Sequence, residues 1–174
     1  MGRWLKRIGI ALGVLAGLLV LAGVVVYVGS ERILHRRHAV PAANVVIPTD
    51  AASITEGQRL ATVRGCMYGC HGPEGKGVVF FDDPMLALLN APDLSAAAQR
   101  YSAAELVTVI RHGLRPDGTS VILMPSPTFE ALTDEDVGRI VAFLKSLPSS
   151  DGPGPSFKPG PIVRLGLVAG QFKT

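Results

Sequence analysis

The chain holds two cysteines in 174 residues, at positions 66 and 70. That excludes a zinc site built on four thiols and the multi-bridge framework of a small secreted domain. Aromatic residues make up only 6% of the chain, with a single Trp, so a dense aromatic core is not available. No carboxylate dyad, no paired nucleophile and base and no nucleotide-binding fingerprint can be traced. The segment Gly72-Pro73-Glu74-Gly75-Lys76-Gly77 lacks both the spacing and the preceding strand of a phosphate loop. Substrate chemistry is therefore expected to reside in a partner, and the chain is not expected to be an enzyme on its own.

Charge is missing over one long stretch. From Ile8 to Val28, 21 consecutive residues carry none, which suits a bilayer core about 30 Å thick that takes roughly 20 helical residues to cross. A cleavable signal has a shorter apolar region and a small-residue cleavage site. Neither a convincing Ala-x-Ala nor a cysteine for a lipid anchor is seen, so this segment reads as a retained single-pass anchor. Arg3, Lys6 and Arg7 precede it, while Arg32, Arg36 and Arg37 follow it, which leaves the positive-inside rule nearly balanced. Gly9, Gly13 and Gly17 form a small-residue ridge of the sort that lets membrane helices approach; the oligomeric state stays open. The net charge is +3 with a pI of about 9.1, but residues 49–150 hold eight Lys/Arg against twelve Asp/Glu, a balance of −4. The basic character sits beside the membrane and in the tail, so it is no argument for nucleic-acid binding. Juxtamembrane arginines suit anionic head groups instead.

What is present is Cys66-Met67-Tyr68-Gly69-Cys70-His71. Two cysteines followed at once by a histidine can hold haem covalently, each thiol forming a thioether and the imidazole becoming an axial ligand. The usual spacing places two residues between the cysteines; here there are three. In near-helical backbone, positions four apart still share a face, and Gly69 is expected to relax the chain where the extra residue fits. A short-loop disulfide or a redox dithiol without haem is the alternative.

The stretch from Gly65 to Gly77 resembles the attachment region of membrane-anchored, single-haem class I c-type cytochromes, some of which carry the longer cysteine spacing. The resemblance runs from about Thr49 to Pro148. It implies an all-α, cytochrome c-like small helical domain around one covalent haem c, preceded by an N-terminal transmembrane helix. It also implies that Cys66 and Cys70 are the thioether positions and His71 one axial ligand. Met124, on Met124-Pro125, matches the place of the family's axial methionine. Met67 belongs to the histidine side, and Met85 is expected to pack in the core or at the haem edge. The resemblance further implies a carrier passing single electrons between respiratory, dehydrogenase or oxidase partners, free-standing or as the haem subunit of a complex. Haem attachment outside the cytoplasm would place the domain on the periplasmic side of a bacterial inner membrane. A ligand sensor with a displaceable methionine is the alternative reading.

The expected boundaries are a cytoplasmic N-terminus over 1–7, the anchor over 8–28, a tether over 29–48, the cytochrome domain over 49–148, and a Pro/Gly-rich linker with an apolar tail over 149–174. Within the domain, Ser53-x-x-Glu56 and Ser102-x-x-Glu105 read as capping boxes, and Thr133 opens the last helix. Its apolar stripe is Val137, Ile140, Val141, Leu144 and Leu147. Residues 72–95 read as loop, with Phe80, Phe81 and Leu86 as haem cover, and no strand is predicted. In the resembling family the first and last helices cross closely, which points to Gly57 and Phe143. The acceptor for the second ring nitrogen of His71 is expected at Pro84 or Pro92. Arg111, Arg115, Tyr101 and Tyr68 are candidates for the propionates. His112 reads as structural or exposed, and His35 and His38 as solvated.

Overall fold

A computed structural model describes residues 2–172. Helix α1 spans Gly2–Leu34, about 50 Å at 1.5 Å per residue. Among the described residues it is the one helix long and apolar enough to cross a membrane, and none of its apolar window is buried by the rest of the chain. Its length and exposed apolar surface are compatible with a membrane span.

The segment expected to be a tether is instead an ordered strap. Arg37 bridges to Thr119, and the His38 N–H donates to the Gly118 carbonyl at 2.8 Å. Ala43, Val45 and Ile47 pack on the core. The alternation of apolar residues after Ala43 is what lays this strap down, one face inward.

Helix α2 (Ala51–Val63) begins two residues before Ser53. Asp50 is its N-cap, accepting the Ser53 N–H at 2.9 Å, while Glu56 pairs with Arg59. The Ser53 box is thus not formed, because a better-placed carboxylate stands three residues upstream. The box at Ser102 does form and opens α4 (Ala103–His112), with Glu105 N–H to Ser102 at 3.2 Å and Ser102 N–H to Glu105 at 2.7 Å. Helix α6 (Asp134–Ser146) opens at Thr133 and buries Val137, Ile140, Val141, Phe143 and Leu144. Leu147 lies just past its end and is half-buried.

Helices α2 and α6 cross at Gly57. A Cβ there would stand 2.0 Å from the Arg139 carbonyl oxygen and 3.1 Å from Phe143 Cβ, so only glycine permits this approach. The crossing expected between Gly57 and Phe143 is therefore present.

The region read as loop is more ordered than its composition suggests. After a 3-10 turn (Pro73–Gly75), strands β1 (Val78–Asp83) and β2 (Ala87–Ala91) form an antiparallel hairpin with a bulge between Val79 and Phe81. Helix α3 (Leu94–Arg100) follows, and a short α5 covers Ser126–Phe129. The presumed linker supplies β3 (Ser156–Pro159), which pairs antiparallel with β2 from Ala87↔Pro159 to Asn90↔Ser156. Helix α7 (Pro161–Val168) then packs on the outer end of α1. The all-α expectation holds for the core, and a three-stranded sheet in the order β1-β2-β3 is added at its edge.

Asp93 joins these parts. It is buried, with 1% of its surface exposed. Its carboxylate caps α3 through Ser95 N–H (2.7 Å) and Ala96 N–H (3.3 Å), and accepts from the Ser150 hydroxyl and from Gly152 N–H (3.0 Å).

Candidate haem site

The chain leaves α2 through Gly65, whose φ of 81° reverses its direction. Cys66–Cys70 then forms a wide turn closed by two hydrogen bonds that span five residues: Cys70 N–H donates to Gly65 O at 2.9 Å and His71 N–H to Cys66 O at 3.1 Å. The wider ring absorbs the extra residue between the cysteines, the single-turn role such bulges play elsewhere. The unusual backbone falls on Tyr68, at φ 63°, and not on Gly69 as expected. Tyr68 tolerates that position because its N–H is bonded to Gly72 O at 2.9 Å and its side chain is exposed. Met67 turns inward beneath the loop; a Cβ on Gly75 would meet its sulfur at 3.0 Å.

His71 is half-buried, and its Nδ1 lies 2.8 Å from the Pro92 carbonyl. A carbonyl only accepts, so Nδ1 carries the proton and Nε2 keeps its lone pair. Of the two prolines considered, Pro92 is the partner. Burial pushes the imidazole below its ordinary pKa, and the Pro92 bond restores part of the loss. Burial likewise pushes the Cys66 thiol up, with Cys70 adding to it. The two cysteines are not joined as a disulfide.

Cys66, Cys70 and His71 line one cavity of about 780 Å³, and Met124 lines it too, a volume within the roughly 300–1,000 Å³ of cofactor sites. Met124 comes from the irregular segment between α4 and α5. Gly113 ends α4 at φ 61°, Val121 N–H returns to Gly113 O at 2.6 Å, and Leu123 turns at φ 73°. Those turns carry Met124 against the core. Leu94, Leu106, Ile110, Phe129 and Leu144 complete an apolar lining. Soft sulfur and imidazole donors set in apolar walls fit an iron porphyrin.

Other expectations need correction. Arg111 does not line the cavity: it binds Leu132 O at 2.7 Å and Asp134 at 2.6 Å, tying α4 to the start of α6. Tyr68 also lies outside the lining, whereas Tyr101 and Arg115 are in it. Arg115 is spent on Ser120 O at 2.7 Å. Phe80 lines the cavity, but Phe81 and Leu86 do not, and Met85 is 54% exposed at the hairpin end. His38, within the strap, is half-buried, not solvated. Residues missed at the rim are Arg64, Arg100, Glu31, His35 and Arg164. Arg64 lies beside the cysteine motif and was within reach of inference. Glu31 and Arg164 are brought there by long-range packing alone.

A small helical domain folded around an apolar cleft, with two thiols and an imidazole on one segment and a thioether on another, is the architecture of a covalent-haem protein. The chain belongs to the cytochrome c family: the family model described as Cytochrome c matches residues 54–148. It is a c-type cytochrome, an electron-transfer protein that binds haem c. The cytochrome c subunits of alcohol dehydrogenase (quinone) from Gluconacetobacter polyoxogenes and Komagataeibacter europaeus are each 30% identical to it over 102 residues, covering 55% of this chain and 22% of theirs. The corresponding subunit of Gluconobacter oxydans is 28% identical over 102 residues, covering 55% and 21%. The chain thus spans about a fifth of the length of the curated relatives it matches.

Proposed function

We propose that this protein is a membrane-tethered single-electron carrier with one haem, bound through thioethers at Cys66 and Cys70 and ligated by His71 Nε2 and Met124 Sδ. The observation that carries this is the shared cavity: residues 53 positions apart, His71 and Met124, line the same apolar space. The haem supplies a one-electron couple. The protein's part is to hold it. The Pro92 carbonyl fixes the His71 tautomer and leaves Nε2 free, and the soft thioether of Met124 favours the reduced metal and raises the potential. Held by His71 and Met124 together, a bound haem would have no position left for a substrate.

Helix α1 supports the tethering, as a single-pass anchor of a bacterial inner membrane with the haem domain on the periplasmic side. The relatives' names support a dehydrogenase as the partner, with this chain as a haem subunit that accepts electrons from it. Co-purification of a dehydrogenase with the chain from its own membranes tests that part.

The ligation is tested by a pyridine haemochrome spectrum together with the oxidised spectrum of the wild type and of Met124→Ala. A c-type haemochrome is expected in both, with the sulfur-to-iron charge-transfer band lost and the potential lowered in the variant. An unchanged oxidised spectrum in Met124→Ala overturns the ligand assignment. Absence of any c-type signal overturns the haem reading in favour of a dithiol.

A further inference from the structure

Helix α7 is apolar on both sides. Its inner face buries Leu167 at 2% exposure and rests Val168 on α1, while Ile162 and Leu165 face outward, exposed by 53% and 58%. An eight-residue helix with no polar face does not suit water. Its single charge, Arg164, is turned back onto α1, where it pairs with Glu31 at 2.8 Å, donates to Ser30 at 2.7 Å and lies 4.3 Å from the centre of the Tyr27 ring. Gly29 gives room for Val168: a Cβ there would stand 3.2 Å from the valine Cγ2.

These contacts fix where α7 lies along the anchor. The uncharged run of α1 ends at Val28, and α7 sits beside residues 27–31, at the level where an apolar span meets the head groups. The β1–β2 hairpin is brought to the same place, since Gly160 N–H donates to Leu86 O at 2.7 Å and Ile162 N–H to Met85 O at 3.1 Å. Met85, exposed at that turn, extends this outward apolar face.

We infer that the outer face of α7, together with Met85, is a second membrane contact that lies in the head-group and acyl boundary of the leaflet where α1 emerges. Its occupant is lipid, because the patch is continuous with the end of the apolar span and is held there by the half-buried pair of Arg164 with Glu31. The inference rests on reading α1 as a membrane span. It gives the haem domain a fixed orientation on the bilayer, with the cavity rim at Glu31 and Arg164 next to the membrane surface.

The test places a photoreactive benzophenone side chain, one position at a time, at Leu165, Met85, Leu15 or Val46 of the full haem-loaded chain in native membranes. Leu15 is mid-anchor, and Val46 is an exposed apolar control lying on α6 beside Gly138. Lipid adducts read by mass spectrometry are expected at 165 and 85 in yields comparable to 15, and at background at 46. Adducts at 15 but not at 165 and 85 overturn the second contact and leave the anchor standing. Protein adducts at 165 and 85 also overturn it, since the patch is then a subunit interface. Lipid yield at 46 equal to that at 165 overturns it as nonspecific. No lipid adduct at 15 removes the anchor and the contact with it.

Discussion

Replacing Asp93 with Asn isolates one charge without changing shape. Burial alone would raise this carboxyl's pKa, but the Ser150 hydroxyl, Ser95 and the Ala96 N–H outweigh it and hold it at about 2 instead of 3.8. A depression of that size corresponds to about 2–3 kcal/mol of folded-state preference for the ionised form. The group is depressed, so its contribution is complete above about pH 4, the unfolded value, and disappears as pH falls through about 2. Asn retains a cap for α3, but its amide presents donors where the Ser150 hydroxyl and Gly152 N–H also donate. Asp93→Asn is therefore expected to lose about 2–3 kcal/mol at pH 7, with the difference from wild type shrinking toward zero near pH 2. Urea unfolding of the haem-loaded chain in detergent, followed by Soret circular dichroism across that range, measures it. A difference that stays constant from pH 7 to pH 2 refutes the charge argument. A loss below about 0.5 kcal/mol at pH 7 refutes the claim that this residue binds the tail to α3.

Gly57→Ala sets a methyl group 2.0 Å from the Arg139 carbonyl oxygen, so a loss of about 1–3 kcal/mol is expected in thermal unfolding, and an unchanged melting temperature refutes the close crossing. Gly65→Ala forces a side chain to φ 81° and is expected to cost about 1 kcal/mol, whereas Gly69→Ala enters open space and is expected to be neutral. Equal effects at the two positions, read by denaturant midpoint, refute the description of the loop. Arg164→Met removes the pair to Glu31 and the Tyr27 stacking, for about 1–2 kcal/mol. Faster proteolysis within residues 160–172 at an unchanged haem spectrum is the expected result, and unchanged proteolysis refutes the role given to Arg164 in holding α7 on α1.

The attachment motif was legible because its six residues are contiguous and their order is itself the chemistry. Met124 was proposed only through the resemblance, since no local pattern ties it to His71; turns at Gly113 and Leu123 bring it to the cavity that His71 also lines. Helices with a strong cap and stripe, such as those opened by Ser102 and Thr133, could be read directly. The failures in the sheet and the tail share one cause, a deciding partner distant in sequence, unlike Asp50 for the cap of α2 or Gly72 for Tyr68. Val78–Asp83 has strand-forming residues, but its sheet exists because β2 also pairs with residues 156–159, in a segment whose prolines and glycines imply a linker. The same distance hid the contacts of α7 with residues 27–31. Arg164 looks like an ordinary basic residue in an apolar tail until Glu31, Ser30 and Tyr27 are seen around it, 133 to 137 positions earlier. Once those contacts exist, the strap over residues 35–48 and the returning tail both bind the head of the molecule to its anchor. On the proposed reading of α1 as a membrane span, a carrier that swings freely on its tether would need neither, and the proposed electron transfer is expected to reach a partner in the same membrane.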